Sequence, residues 1–245
     1  MLDALKRWIA GGPGGADLRA VASWARQHGA LFKRARDDQG FVIDGQLDGR
    51  VWRLEWGPSQ RSYIEGRELR LRMELGLSQD LQMLLLSRPL METLERQTFE
   101  HYTAQMQTQI DVSTPEEMRW LAMFPKVALA IPKELKRRFS VVASSSPAAA
   151  AWIDGPLAER LAVAARGPLV DEPPLVLMTL RGRVYLRLEL AEPAVAAVES
   201  MIKLFETAAA QAVRVGGGAP VSPEAWPSSA STAWQTHLQP EVPED

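Results

Sequence analysis

Three observations predict an α+β protein built on antiparallel sheets. Two runs alternate with a period of two: Trp52, Leu54 and Trp56 against Arg53 and Glu55, then Leu69, Leu71, Met73 and Leu75 against Glu68, Arg70, Arg72 and Glu74. One dry and one wet face is the pattern of an antiparallel sheet lying on a core. Between the apolar runs at 41–47 and 51–56, Asp48-Gly49 suits the type I′ turn of a tight hairpin. Helical spacing fills the stretches after these strands, so the helices are expected on one side of the sheets.

In chain order, Leu2, Leu5, Trp8 and Ile9 fall at helical spacing around Lys6 and Arg7, and Gly11-Gly12-Pro13-Gly14-Gly15 breaks the run. Residues 1–15 thus read as an amphipathic segment and linker. Residues 16–29 predict a helix with Leu18, Val21, Ala22 and Ala25 on one face, Asp17 in the first turn and Gly29 as its stop. Residues 31–39 are basic, then acidic, and read as a solvated connection or a strand edge. Strands follow at 41–47, 51–56 and 67–75. Residues 81–87, LQMLLLS, are apolar on both faces, as a buried central strand is. These four make a meander. Pro89 opens a helix to about residue 110. At the next helix start Thr114 caps, Pro115 takes the first position and Glu117 closes a capping box, with Met118, Leu121 and Ala122 toward the core.

The basic run Lys133–Arg138 leads into a strand at 139–143. Ser144-Ser145-Ser146 caps a helix behind Pro147, which Gly155-Pro156 interrupts before a second piece to residue 166. A hairpin around Arg181-Gly182 joins strands at 175–180 and 184–190, with Val184, Leu186, Leu188 and Leu190 inward and Arg183, Tyr185, Arg187 and Glu189 outward. Residues 193–213 predict a long helix that buries Val195, Val198, Ile202 and Phe205. The body divides into sheet-plus-helix units at 16–125 and 126–215. Residues 216–245, rich in Pro, Ser and Ala, read as a disordered tail.

Composition narrows the function classes. The 245 residues are 46% hydrophobic and 24% charged, with a net charge of −2. A general nucleic-acid binder needs a basic excess to meet phosphates, and none is present. Without cysteine, thiolate catalysis, disulfides and Cys-held metals are excluded. No apolar run of about 18 residues predicts a membrane span. The interrupted start does not predict a secretory signal, so a cytoplasmic location is the expectation. His28, His101 and His237 stand apart from one another, and no GxSxG occurs. The glycines at 11–15 and 216–218 lack the strand-to-helix setting of a phosphate loop. No cofactor or metal is expected, and Glu116-Glu117 reads as a capping pair.

The sequence Gly49-Arg50-Val51-Trp52-Arg53-Leu54-Glu55 is echoed by Gly182-Arg183-Val184-Tyr185, then Arg187-Leu188-Glu189 after one extra residue. A duplicated sheet-plus-helix unit and convergent hairpins both fit. The segments RRFSVVASSSPAAAAWIDGPLAERL and PLVLMTLRGRVYLRLEL, with the helix after them, resemble uncharacterised bacterial proteins. In those, a Phe-led strand precedes a helix, a hairpin and a further helix. The resemblance spans about residues 135–213. It implies a bacterial α+β domain and no catalytic residues.

The loop WGPSQRSYIEGRE, residues 56–68, concentrates Trp56, Arg61, Tyr63 and Glu65 beside the sheet. Trp, Tyr and Arg dominate interface hot spots. The same loop also fits a plain connection with Tyr63 and Ile64 tucked onto the sheet. Trp226 and Trp234 stand out in the tail, because aromatics are scarce in disordered segments. These residues predict a non-enzymatic cytoplasmic interaction or assembly factor with a protein partner. Two alternatives stay open. One is a peripheral membrane protein held by residues 1–9 and the Lys133–Arg138 run. The other is an enzyme using sheet carboxylates such as Glu55 or Glu74.

Overall fold

The alternating runs pair as their periodicity requires. In the computed structural model, residues 15–35, 40–105 and 115–217 are described. Among them the strands are β1 (Leu31–Arg34), β2 (Phe41–Leu47), β3 (Arg50–Pro58), β4 (Arg67–Glu74), β5 (Met83–Ser87), β6 (Phe139–Ala143), β7 (Leu175–Leu180) and β8 (Arg183–Glu189). They form one antiparallel sheet in the order β1-β2-β3-β4-β8-β7-β5-β6. Both hairpin turns are type I′: φ is +49° and +76° at Asp48 and Gly49, and +50° and +79° at Arg181 and Gly182. The fold is therefore α+β and antiparallel, with a single sheet spanning both parts of the chain.

The four-strand meander is corrected. Its members are β1 to β4, and β5 has left it to lie between β7 and β6. The reason is physical. β4 turns charged residues to the sheet's second face, whereas all five residues of β5 are buried. A strand apolar on both sides needs cover on both sides.

Among the described residues seven helices supply that cover: α1 (Gly15–Gln27), α2 (Arg88–Gln105), α3 (Glu116–Met123), α4 (Lys133–Arg138), α5 (Ser146–Ile153), α6 (Pro156–Ala164) and α7 (Val195–Gly216). The main core lies on one face of the sheet, where α1, α5, α6 and α7 meet Ile43, Leu54, Leu71, Leu85, Leu177 and Leu186. Along α7, Val198, Ile202, Phe205, Ala209 and Ala212 recur every three or four residues and are buried. A fully buried side chain of this size contributes roughly 1.5–3 kcal/mol. Small Ala208 and Ala209 let Trp152 of α5 approach closely, and its Nε1 donates to the Ala208 carbonyl at 2.8 Å. Ser145 caps α5 as its sequence requires, accepting from Ala148 N at 3.4 Å.

A second core lies on the opposite face. There Leu84 and Leu86 of β5, Val142 of β6, and Val176 and Met178 of β7 meet Leu90, Met91 and Leu94 of α2 and Trp120 of α3. Most helices thus share one side, and two more cover half of the other. Residues 133–138 enter β6 as a short helix rather than as an extended strand entry, because Pro132 starts a turn and Leu135 is buried beneath it. Residues 1–14 with Leu2, Leu5, Trp8 and Ile9, the Thr114 cap, and the tail with Trp226 and Trp234 lie outside the described residues. No helix among the described residues is long and apolar enough to cross a membrane.

Candidate functional site

On the second face, the apolar half under α2 and α3 gives way to charge. The outward residues of β3, β4 and β8 stand in register, with Glu55 opposite Arg70 and Arg70 opposite Arg187. Two residues along, Glu68 lies opposite Glu189, a like-charge pair that costs stability unless each carboxylate finds a donor. Both do. Glu68 is fully buried. Its Oε1 accepts from Arg187 Nη1 at 2.5 Å, and its Oε2 from Arg70 Nη1 at 3.3 Å and the Gln60 backbone N–H at 2.9 Å. Glu189 accepts the Glu65 backbone N–H at 2.9 Å. Arg70 also donates to the Pro58 carbonyl at 3.0 Å and to Glu55 at 3.4 Å.

The loop between β3 and β4 covers this seam. It closes on itself through Ser59 N–H to the Gly66 carbonyl at 3.1 Å and Ser59 Oγ to the Arg61 carbonyl at 2.8 Å. Its third anchor is Glu117 of α3, whose side chain is fully buried. Glu117 Oε1 accepts from Tyr63 Oη at 2.7 Å and from Arg61 Nε at 3.3 Å. Burial, and then the neighbouring Glu117 charge, push the Tyr63 phenol far above its ordinary value, so it stays protonated as a donor. Burial works against the Arg61 charge, but Glu117, Tyr63 and Glu68 together outweigh it and the guanidinium is held above its usual value.

This geometry locates each residue that the sequence marks. Trp56 is buried in the main core, stacked on Phe41 at 5.6 Å between ring centroids, with Arg67 4.4 Å over its ring and its Nε1 donating to the Leu190 carbonyl at 2.8 Å. Arg61 and Tyr63 converge on Glu117. Glu65 lies exposed near the end of the loop, beside Gly66. The carboxylates considered for catalysis face arginines across the strands: Glu55 is 3.4 Å from Arg70 and 3.9 Å from Arg72, and Glu74 is 2.5 Å from Arg183. His28 stays local, its Nδ1 2.8 Å from the Trp24 carbonyl. Among the described residues, no three of His, Asp and Glu gather as a metal-ligand set does.

Glu117 is the residue that sequence reasoning misplaced. Pro115, not Thr114, occupies the cap position of α3, with no side-chain cap bond. Glu117 therefore turns from the capping box to the sheet. The buried side of α3 is Glu117 and Trp120; Met118 and Leu121 are half-buried and pack against the second core as expected, and only Ala122, which is exposed, departs from the expected face. Trp120 carries the available signal, because a residue three positions before a buried Trp shares its helix face.

No family model matches the chain, and no curated protein matches it. Among solved structures, the crystal structure of the mycobacterial trehalose monomycolate transport factor A, TtfA, is similar, with a TM-score of 0.48 and 10% sequence identity over 84% of this chain and 99% of that chain. A likeness of that size carries no argument about function.

Proposed function

We propose that this protein is a non-enzymatic interaction or assembly factor whose protein partner engages the loop at residues 58–66. The observation that carries this is the anchoring of the loop on buried Glu117 through Tyr63 and Arg61. Buried ion pairs contribute little net stability, because desolvation offsets the attraction. What the seam secures is one loop conformation. A loop already ordered avoids the entropy of immobilisation that binding otherwise requires, about 0.5–1.5 kcal/mol per long side chain. On this reading Arg61 and Tyr63 position the loop, and the exposed Pro58, Gln60, Ser62 and Glu65 make the contacts.

The test uses a photo-reactive amino acid at Ser62 of the full chain, with the same group at exposed Arg160 of α6 as control. The expected result is one adduct specific to Ser62. The adduct partner, purified, then binds at least tenfold more weakly to a chain carrying Ser62→Arg and Glu65→Arg. Equal labelling at both positions, or an affinity indifferent to the loop changes, refutes the proposal. Trp226→Ala with Trp234→Ala in the full chain tests the tail separately; unchanged affinity removes it from the interface.

A further inference from the structure

The arginines of the sheet answer carboxylates, but a second cationic group does not. Helix α4 is short, and its charges are sorted by position. Lys133, Lys136 and Arg137 follow the i, i+3, i+4 spacing of one helix face. Leu135 turns to the core. Arg138 turns the other way, donating to the Leu169 and Val170 carbonyls and lying 3.6 Å from Glu172.

Arg88, the first residue of α2, completes the group from a distant part of the chain. Its Nε donates to the Arg137 carbonyl at 2.9 Å and its Nη2 to the Lys136 carbonyl at 2.5 Å. Those bonds tie the end of α4 to the start of α2. Between them lies a shallow, open cleft lined by Arg88, Lys133, Lys136 and Arg137, the last three exposed. Among the described residues, none of the four forms an ion pair with a carboxylate. Like charges at this spacing repel, by a few tenths of a kcal/mol per pair on a helix. An anion held between them would offset that repulsion.

We propose that this cleft binds a phosphate-bearing anion, either a free phosphorylated small molecule or the headgroup of an anionic lipid. Arg88 offers a planar guanidinium fixed by its two carbonyl contacts, and the two lysines offer mobile point charges, a pairing suited to phosphate oxygens. The proposal is independent of the loop at residues 58–66, which lies on other elements.

Two probes separate the sources. Calorimetry with inorganic pyrophosphate at low ionic strength tests the free anion, and co-sedimentation with phosphatidylcholine vesicles containing phosphatidylglycerol tests the headgroup. Each is run on the full chain, on a Lys136→Glu, Arg137→Glu variant, and on an Arg160→Glu, Arg166→Glu variant with the same change in net charge at exposed positions on α6 and just after it, outside the lining of the cleft. Binding of either probe that falls roughly tenfold or more in the cleft variant and persists in the control supports the proposal and names the source. Binding of neither probe, or equal loss in both variants, overturns it. Matching thermal transitions in the two variants exclude unfolding as the cause of a selective loss.

Discussion

Replacing Tyr63 and Glu117 singly and together measures what anchors the loop. Tyr63→Phe removes one hydrogen bond to a charged acceptor and leaves fully buried Glu117 with Arg61 at 3.3 Å. Such a bond contributes about 1.5–3 kcal/mol. Glu117→Leu removes the buried charge and leaves the Tyr63 hydroxyl without its acceptor at 2.7 Å, a cost of about 1–3 kcal/mol. Arg61, with a quarter of its side chain exposed, can turn to water and adds little. The single changes therefore sum to about 4 kcal/mol. The double variant places Phe against Leu beside Trp120 and Met118, which already belong to the second apolar core. With no charge left to desolvate, it is expected to lose only about 2 kcal/mol, a coupling of about 2 kcal/mol. Urea unfolding at pH 7, followed by tryptophan fluorescence at constant m-value, gives the four stabilities. The single losses correspond to midpoint shifts of roughly 4–8 °C on heating. Amide exchange at Gln60 and Glu65, whose N–H groups bond to Glu68 and Glu189, reports the loop directly and is expected to speed up in each single variant. Additivity within about 0.5 kcal/mol refutes the reasoning, because uncoupled residues do not form one anchor.

Glu206→Gln is expected to hold or raise stability at pH 7. Burial raises the Glu206 carboxyl above its ordinary value, with the Trp52 hydrogen bond opposing. A folded-state value above the unfolded one means a penalty fully present above the folded value and lost as pH falls through it toward the unfolded value near 4.3. The advantage of Gln should therefore narrow between neutral pH and pH 4 in thermal scans; an advantage constant with pH argues against burial as the cause. Gly45→Ala is expected to cost about 1–3 kcal/mol or more, since a Cβ there would stand 2.2 Å from the Trp52 ring. Unchanged urea stability would show that Trp52 can move aside freely. Ser145→Ala should cost about 0.5–1 kcal/mol, the low end for a cap whose bond is 3.4 Å long. A loss beyond 2 kcal/mol would give Ser145 a role beyond its cap.

Where burial follows from local periodicity, the sequence is transparent. Trp52, Leu54 and Trp56 are buried and Arg53 pairs with Asp44 at 2.7 Å, as alternation demands. The two-sided apolarity of Met83–Ser87 is likewise visible, and with it the need for cover on both faces. What alternation does not encode is which strand lies next to which. The Arg-Leu-Glu echo illustrates this: β3 and β8 both flank β4, but Arg53 stands level with Tyr185 and Glu55 with Arg187, so the shared letters are two residues out of register. Arg187 points away from the main core as predicted, yet it is buried, its guanidinium bonded to Glu68, more than a hundred positions earlier. The same holds for Glu117, whose partners at 61 and 63 no local rule connects to it. Short basic helices such as α4 are invisible for another reason: six residues are too few to show a period, and only Pro132 and the buried Leu135 hint at the turn.

The seam between β4 and β8 has a consequence for how the chain is made. Residues 68–74 pair with 183–189, so the sheet cannot close until most of the polypeptide has left the ribosome. A nascent chain carrying only β1 to β4 presents an open strand edge bearing Glu68 and Arg70 before Arg187 arrives to meet them. Pairings this distant in sequence are slow to form. The charges at that edge then serve a second purpose during synthesis: they discourage an unfinished sheet from joining a neighbouring unfinished sheet, until the last hairpin takes its place between β4 and β5.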